Sequence, residues 1–259
     1  MKTFMKKSSL ISFLLFLSVL FAGCDSNKNA SAFPMGKKYW TPDDYETANE
    51  ELTSLKYKNK ELPNLDNTKT ALVFKKIVDT NNFSIVANDN QLGLEHRKEF
   101  TSKLFDQYRQ LVDAYEGTDR SDKYQYPLEL VEIEKFGLAL QVYYIGTSNQ
   151  SIMKNADNPN AAEVVEIVRE NKNIIIKNYN LYLELINYED RFTDRALISY
   201  SEGLKDFFPK LIDNVAPDGN YSEMLVKIDN MLKKTKNNFI ITQLQNIQNL
   251  IKGKTTATP

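Results

Sequence analysis

The chain has 259 residues, with 33 basic and 34 acidic side chains, a formal net charge of −1, one histidine and one cysteine. Charge so evenly balanced, with no basic stripe, excludes the electrostatic footprint of nucleic-acid binding. A single thiol excludes an intramolecular disulfide framework and a zinc–thiolate centre, so the fold must be held by core burial alone.

Residues 1–23 have the layout of a secretory leader. Lys2, Lys6 and Lys7 make a positive start, and Leu10–Ala22 carry no charge. That run is only about 20 Å of helix at ~1.5 Å per residue, too short to span hydrocarbon permanently. It ends in Phe21-Ala22-Gly23-Cys24, small residues directly before the sole cysteine. The segment resembles a bacterial lipoprotein signal, whose motif is an aliphatic residue, two small residues and the lipidated cysteine. The resemblance implies cleavage before Cys24, a diacylglyceryl thioether on its sulfur and a palmitate-type acyl group on the new amine. It also implies a place in the cell envelope on a bacterial membrane, inner or outer being open. Several acyl chains together make such an anchor stable. Loss of the leader removes three lysines and no acids, leaving 236 residues with a net charge of −4.

Residues 24–38 (CDSNKNASAFPMGKK) are small and polar, broken by Pro34 and Gly36, and read as the lipidated cysteine and a flexible tether. From Tyr39 the signals are helical. Thr41-Pro42-Asp43-Asp44 sets a capping hydroxyl, a proline and first-turn acids ahead of a helix to about Leu55. Thr68–Asp79 is a second helix, and Thr80–Gln91 is irregular. Phe100, Leu104, Tyr108, Leu111 and Tyr115 give the seam of a helix over Leu94–Tyr115, with Gly117 as its stop.

Pro127 opens a helix to Ile145, closed by Gly146. It is apolar on most sides, which predicts a central position. A buried strand over Leu138–Ile145 is the competing reading, and the absence of breakers favours helix. Asn158-Pro159 starts a helix to Asn187, and Phe192–Val215 is helical with interruptions at Gly203 and Pro209. Asn220 and Glu223 form a capping box for Met224–Lys233. The last helix is Asn237–Ile251, stopped by Gly253. The expectation is an all-α domain over residues 39–253, a multi-helix bundle or irregular helical stack of about eight helices, followed by a disordered tail over 254–259.

Chemistry-bearing motifs are few. His96 and Glu99 share a helix face at i, i+3, the half-motif of carboxylate-bridged metal bundles, but a second Glu-x-x-His needs a second histidine. Ser151-Ile152-Met153-Lys154 matches Ser-x-x-Lys, without the Lys-Thr-Gly that accompanies it in penicillin-recognising enzymes. Asp218-Gly219-Asn220 lacks the ligand spacing of an EF-hand loop. No catalytic residue, metal site or cofactor is therefore expected. Tyrosine and phenylalanine number 14 each. Tyr143, Tyr144, Tyr179 and Tyr182 are the candidate ligand-binding residues, since tyrosine offers an apolar face with a polar tip.

The function expected is a non-enzymatic envelope lipoprotein whose helical domain binds or scaffolds a protein partner. The alternative is an envelope ligand-binding lipoprotein that takes a glycan, peptide or metal chelate in a tyrosine-lined groove. A hydrolase whose acids converge only in three dimensions is the third reading.

Overall fold

The computed structural model of the chain describes residues 32–87, 92–116 and 125–255. The leader, Cys24, most of the tether, the stop at Gly117 and residues 256–259 lie outside the described residues. What is described is all-α, with nine α-helices and no strand. They are α1 (Pro42–Tyr57), α2 (Ala71–Ile77), α3 (Asn81–Ala87), α4 (Leu94–Glu116), α5 (Pro127–Asn155), α6 (Ala162–Glu184), α7 (Asp194–Lys210), α8 (Ser222–Leu232) and α9 (Asn238–Thr255). A 3-10 segment, Leu185–Arg191, continues α6, and a π-turn, Leu211–Val215, continues α7.

The compact unit begins at Phe33, short of the expected end of the tether at Lys38. Phe33 is buried, and Trp40 is fully enclosed. The indole of Trp40 donates to the Pro34 carbonyl at 3.1 Å and meets Tyr45 edge-on, with 5.4 Å between ring centres. At the start of α1 the Asp44 carboxylate accepts from the Thr41 N–H and hydroxyl, both at 2.9 Å, and from Lys37 at 2.6 Å. Burial pushes the Asp44 carboxyl up, but these three donors outweigh it and hold it below its usual value.

Helix α3 lies where an irregular stretch was expected. Asn82, fully buried, accounts for it: its amide donates to the Tyr45 hydroxyl and the Lys76 carbonyl, each at 2.8 Å, and its oxygen accepts from the Trp40 N–H at 2.9 Å. A buried polar residue with distant partners leaves no periodic apolar signal, although it satisfies three groups at once.

Helix α5, 29 residues long, is the centre of the domain. Ile133, Phe136 and Leu140 face a core shared with α1 to α4, while Val131, Leu138 and Ile145 face a second core shared with α6 to α9. At 100° per residue these two sets lie on nearly opposite sides of the helix. Its most extensive pairing is with α4. Gly146 does not close α5, which continues to Asn155 because polar residues beyond the glycine are used in packing. Thr147 and Thr101 share a hydroxyl contact of 3.2 Å, and Ser151 donates to the Glu95 carboxylate on α4.

Gly203 and Pro209 likewise do not interrupt α7. A Cβ at Gly203 would collide with the Tyr182 hydroxyl, so the glycine admits a neighbouring ring. Pro209 sits in the last turn, where its missing N–H loosens the ladder into the π-turn that follows. The Asn220–Glu223 capping box is not formed. Asn220 accepts from the Ser222 N–H at 3.0 Å, and α8 starts at Ser222. Gly253 does not stop α9, whose Lys254 reaches the Ile212 carbonyl at 2.7 Å and Asp213 at 3.0 Å.

Two glycines of α5 have opposite expectations. A Cβ at Gly137 would enter the Tyr108 ring, whereas one at Gly146 meets nothing within 4 Å. Gly137→Ala should therefore lower stability by about 1–3 kcal/mol through overpacking, and Gly146→Ala should raise it by about 0.5–1 kcal/mol through helix propensity. Urea unfolding of the two variants measures both signs.

Candidate functional site

The four tyrosines singled out from sequence do not come together at a surface. Tyr179 and Tyr182 are buried; their hydroxyls donate to the Leu138 and Tyr200 carbonyls at 3.4 and 3.1 Å. Tyr182 stacks on Tyr200 with 5.0 Å between centres, and Tyr179 meets Phe208 edge-on. Tyr143 packs edge-on against Phe83, while Tyr144 stacks on Phe105. They repeat at helical spacing because they fill a core, and consecutive residues of one helix, Tyr143 and Tyr144, point to different neighbours.

A different set of tyrosines lines an open cleft. It is a cleft of about 580 Å³ where α1 and α4 end and α5 is about to begin, walled by Thr53, Lys56, Tyr57, Lys60, Tyr115 and Tyr126. Its shape follows from the end of α1. Asn59 takes φ 51°, in the left-handed region that asparagine tolerates. Its N–H donates to the Lys56 carbonyl at 3.0 Å, and the Lys60 N–H reaches the Leu55 carbonyl at 2.9 Å. This is the Schellman closure of a helix, and it turns the chain sharply into the strap that follows.

That strap, residues 61–66, is fastened across the helix ends. The Leu62 N–H donates to the Tyr126 hydroxyl at 3.1 Å, the Tyr115 hydroxyl to the Pro63 carbonyl at 2.6 Å, and the Leu65 N–H to the Glu129 carboxylate at 2.7 Å. Tyr115 and Tyr126 meet edge-on at 5.7 Å. Lys56 donates to the Asp113 and Ala114 carbonyls at 2.9 and 3.1 Å, placing its charge at the negative end of α4. Tyr57 is left 89% exposed at the rim.

The cleft therefore offers an aromatic face, two ammonium groups and side-chain hydroxyls, a lining suited to recognition by stacking and hydrogen bonding. Burial and the nearby Glu129 charge push the Tyr115 phenol well above its ordinary value, so it stays a donor to Pro63. The sequence signal for the cleft was Asn59 between two lysines, ahead of Pro63. The tyrosines themselves are far apart along the chain and carry no local pattern.

The remaining chemical motifs are placed apart from it. His96 is exposed on α4, and no group of three metal-ligating side chains is gathered among the described residues. Ser151 is engaged with Glu95. A serine and a lysine do approach each other elsewhere, the Ser199 hydroxyl lying 3.1 Å from the Lys135 ammonium. That serine donates to Glu132 at 2.6 Å, and Lys135 is ion-paired with both Glu132 and Glu202, so the group is a closed polar junction between α5 and α7. No described helix is long and apolar enough to cross a membrane. Compared with protein families, with curated proteins and with solved structures, the chain finds no match.

Glu129, 3% exposed in the first turn of α5, lies behind the cleft. Burial pushes its carboxyl up, against the opposing effect of the Leu65 N–H. A folded-state value raised above the unfolded one favours the protonated fold. The contribution is complete below the ordinary carboxylate value and is lost as pH rises through the raised one. Glu129→Gln, neutral and still able to accept from Leu65, should gain on the unsubstituted chain across that interval. Thermal melts of both proteins at a series of pH values read the difference.

Proposed function

We infer that the chain is a bacterial cell-envelope lipoprotein, held to a membrane through Cys24, whose helical domain binds a protein partner without catalysing a reaction. The observation that carries the anchoring is Phe21-Ala22-Gly23-Cys24 at the end of an uncharged run with three lysines before it. For the binding role, the carrying observation is the exposed Tyr57 ring over a cleft in which Lys56, Tyr115 and Tyr126 are held by hydrogen bonds. A fixed lining limits the entropy lost on association, and an exposed aromatic at its rim supplies the anchor typical of an interface centre.

The concavity favours a second reading, in which the same cleft takes a small ligand such as a glycan, peptide or metal chelate. Its volume, about 580 Å³, falls within the ordinary span of ligand pockets. The two readings differ in what elutes with the protein.

Cys24→Ala should move the protein from the membrane pellet to the soluble fraction on cell fractionation. An unchanged pellet share counts against lipidation at that residue. Tyr57→Ala should lower the yield of a crosslinked partner by about tenfold, the loss of an aromatic worth roughly 1.4 kcal/mol. Phe239→Ala, also at an exposed aromatic but on α9, should leave the yield unchanged.

A further inference from the structure

Helix α6 has a face that its own domain does not use. From Ala162 to Ile174 no residue of this helix is buried, although valine and isoleucine recur through the segment. The helix packs on α5 and α8 by way of Ile175, Ile176, Tyr179 and Leu183. Away from those contacts, Ile167, Ile174 and Leu181 follow one another at intervals of seven and stand 37%, 50% and 56% exposed. Such spacing sets the three side chains in one stripe along the helix.

Charge borders the stripe on one flank. Glu170 and Lys177 both lie about 50° round the helix from it, in the same direction. Neighbouring charges pair within the chain, Arg169 with Glu166 and Lys172 with Asp218. Glu170 and Lys177 are both exposed and have no ion pair among the described residues.

We propose that this stripe docks against the same stripe of a second copy of the chain, antiparallel, about a twofold axis at Ile174. Under that symmetry Ile174 meets its own counterpart and Ile167 meets the partner's Leu181. A twofold axis perpendicular to two antiparallel helices brings the same flank of each together. Glu170 then faces the partner's Lys177, and Lys177 faces the partner's Glu170, so the contact is matched in charge twice over. A parallel alignment would instead set both residues against the opposite flank, which carries Asn171 and Asn178. The charges thus select the orientation as flanking charges do in coiled coils. One helix face buries less than the ~1,200 Å² of a standard interface, so the pairing is weak and is felt where copies are concentrated. Tethering in one membrane supplies such a concentration, on the order of millimolar for short links. The pairing itself does not depend on the anchor.

The twofold position makes the test specific. Ile174→Cys in the full-length protein, oxidised in its own membranes, should give a disulfide-linked species of twice the chain mass. Asn173→Cys, exposed but about 100° round the helix from the stripe, should not. Adding Lys177→Glu to Ile174→Cys should cut the crosslinked fraction roughly tenfold by placing like charges together at both symmetric contacts. Combining it with Glu170→Lys should restore the fraction. Absence of the dimer with Ile174→Cys, equal crosslinking at 173, or no recovery in the charge swap overturns the proposal. The unsubstituted chain serves as the control for Cys24. A dimer there counts against the anchor and sets the background above which positions 174 and 173 are compared.

Discussion

Everything in this domain rests on one helix being buried from two sides. Without α5 the core of α1 to α4 and the core of α6 to α9 would each lack a wall. Each fully buried large side chain is worth about 1.5–3 kcal/mol, so the opposed stripes of α5 carry a large share of the stability on both sides. Where the two cores meet at its edges, several polar residues of the helix are bonded to neighbouring elements. Tyr108 donates to Glu134 at 2.8 Å on one edge, and Lys135 ties Glu132 to Ser199 and Glu202 on the other. A chain with one cysteine has no intramolecular disulfide to substitute for this helix.

The central place of α5 was legible because an 18-residue run that is apolar on most sides has only one stable location in a water-soluble bundle. The start of α1 was legible for a similarly local reason, since Thr41, Pro42 and Asp44 act within one turn. The misplaced boundaries share a different cause. Composition marks Gly146 and Gly253 as stops and Gly203 as an interruption, yet the left-handed backbone by which a glycine commonly ends a helix is adopted by none of these three. Gly203 is small because Tyr182 lies across it, a fact of tertiary packing. The polar run Thr147–Ser151, past the expected stop at Gly146, stays helical where α4 offers Thr101 and Glu95 as partners. In each case a distant residue overrode a local preference.

The candidate site shows the same division more sharply. Tyrosines close in sequence were the visible cluster, and proximity along a helix is what core packing produces. Those that line the cleft come from the end of α1, the end of α4 and the residue ahead of α5, so no window of sequence contains them together. Only Asn59 left a trace, as a residue able to take the left-handed turn that ends α1. The cleft exists because that turn directs the strap across two helix ends, where Tyr115, Tyr126 and Glu129 each hold one of its backbone groups. The cleft beside Tyr57 is thus built on hydrogen bonds whose partners are more than 50 residues apart.

Folding alone does not account for two exposed features, the Tyr57 ring and the stripe on α6. Other exposed apolar side chains, Leu72 on α2, Ile198 on α7, Val226 on α8 and Phe239 on α9 among them, are scattered over separate helices. Helix α6 instead leaves Ile167, Ile174 and Leu181 exposed at seven-residue intervals, although an apolar side chain exposed in water gains nothing for a monomer. Departures from local consistency that carry no packing benefit are where function is expected. Both features fit an object that is fixed in place and meets others repeatedly. An anchored domain does not have to search three dimensions, so a weak self-contact and a modest aromatic cleft suffice where freely diffusing proteins would need larger surfaces.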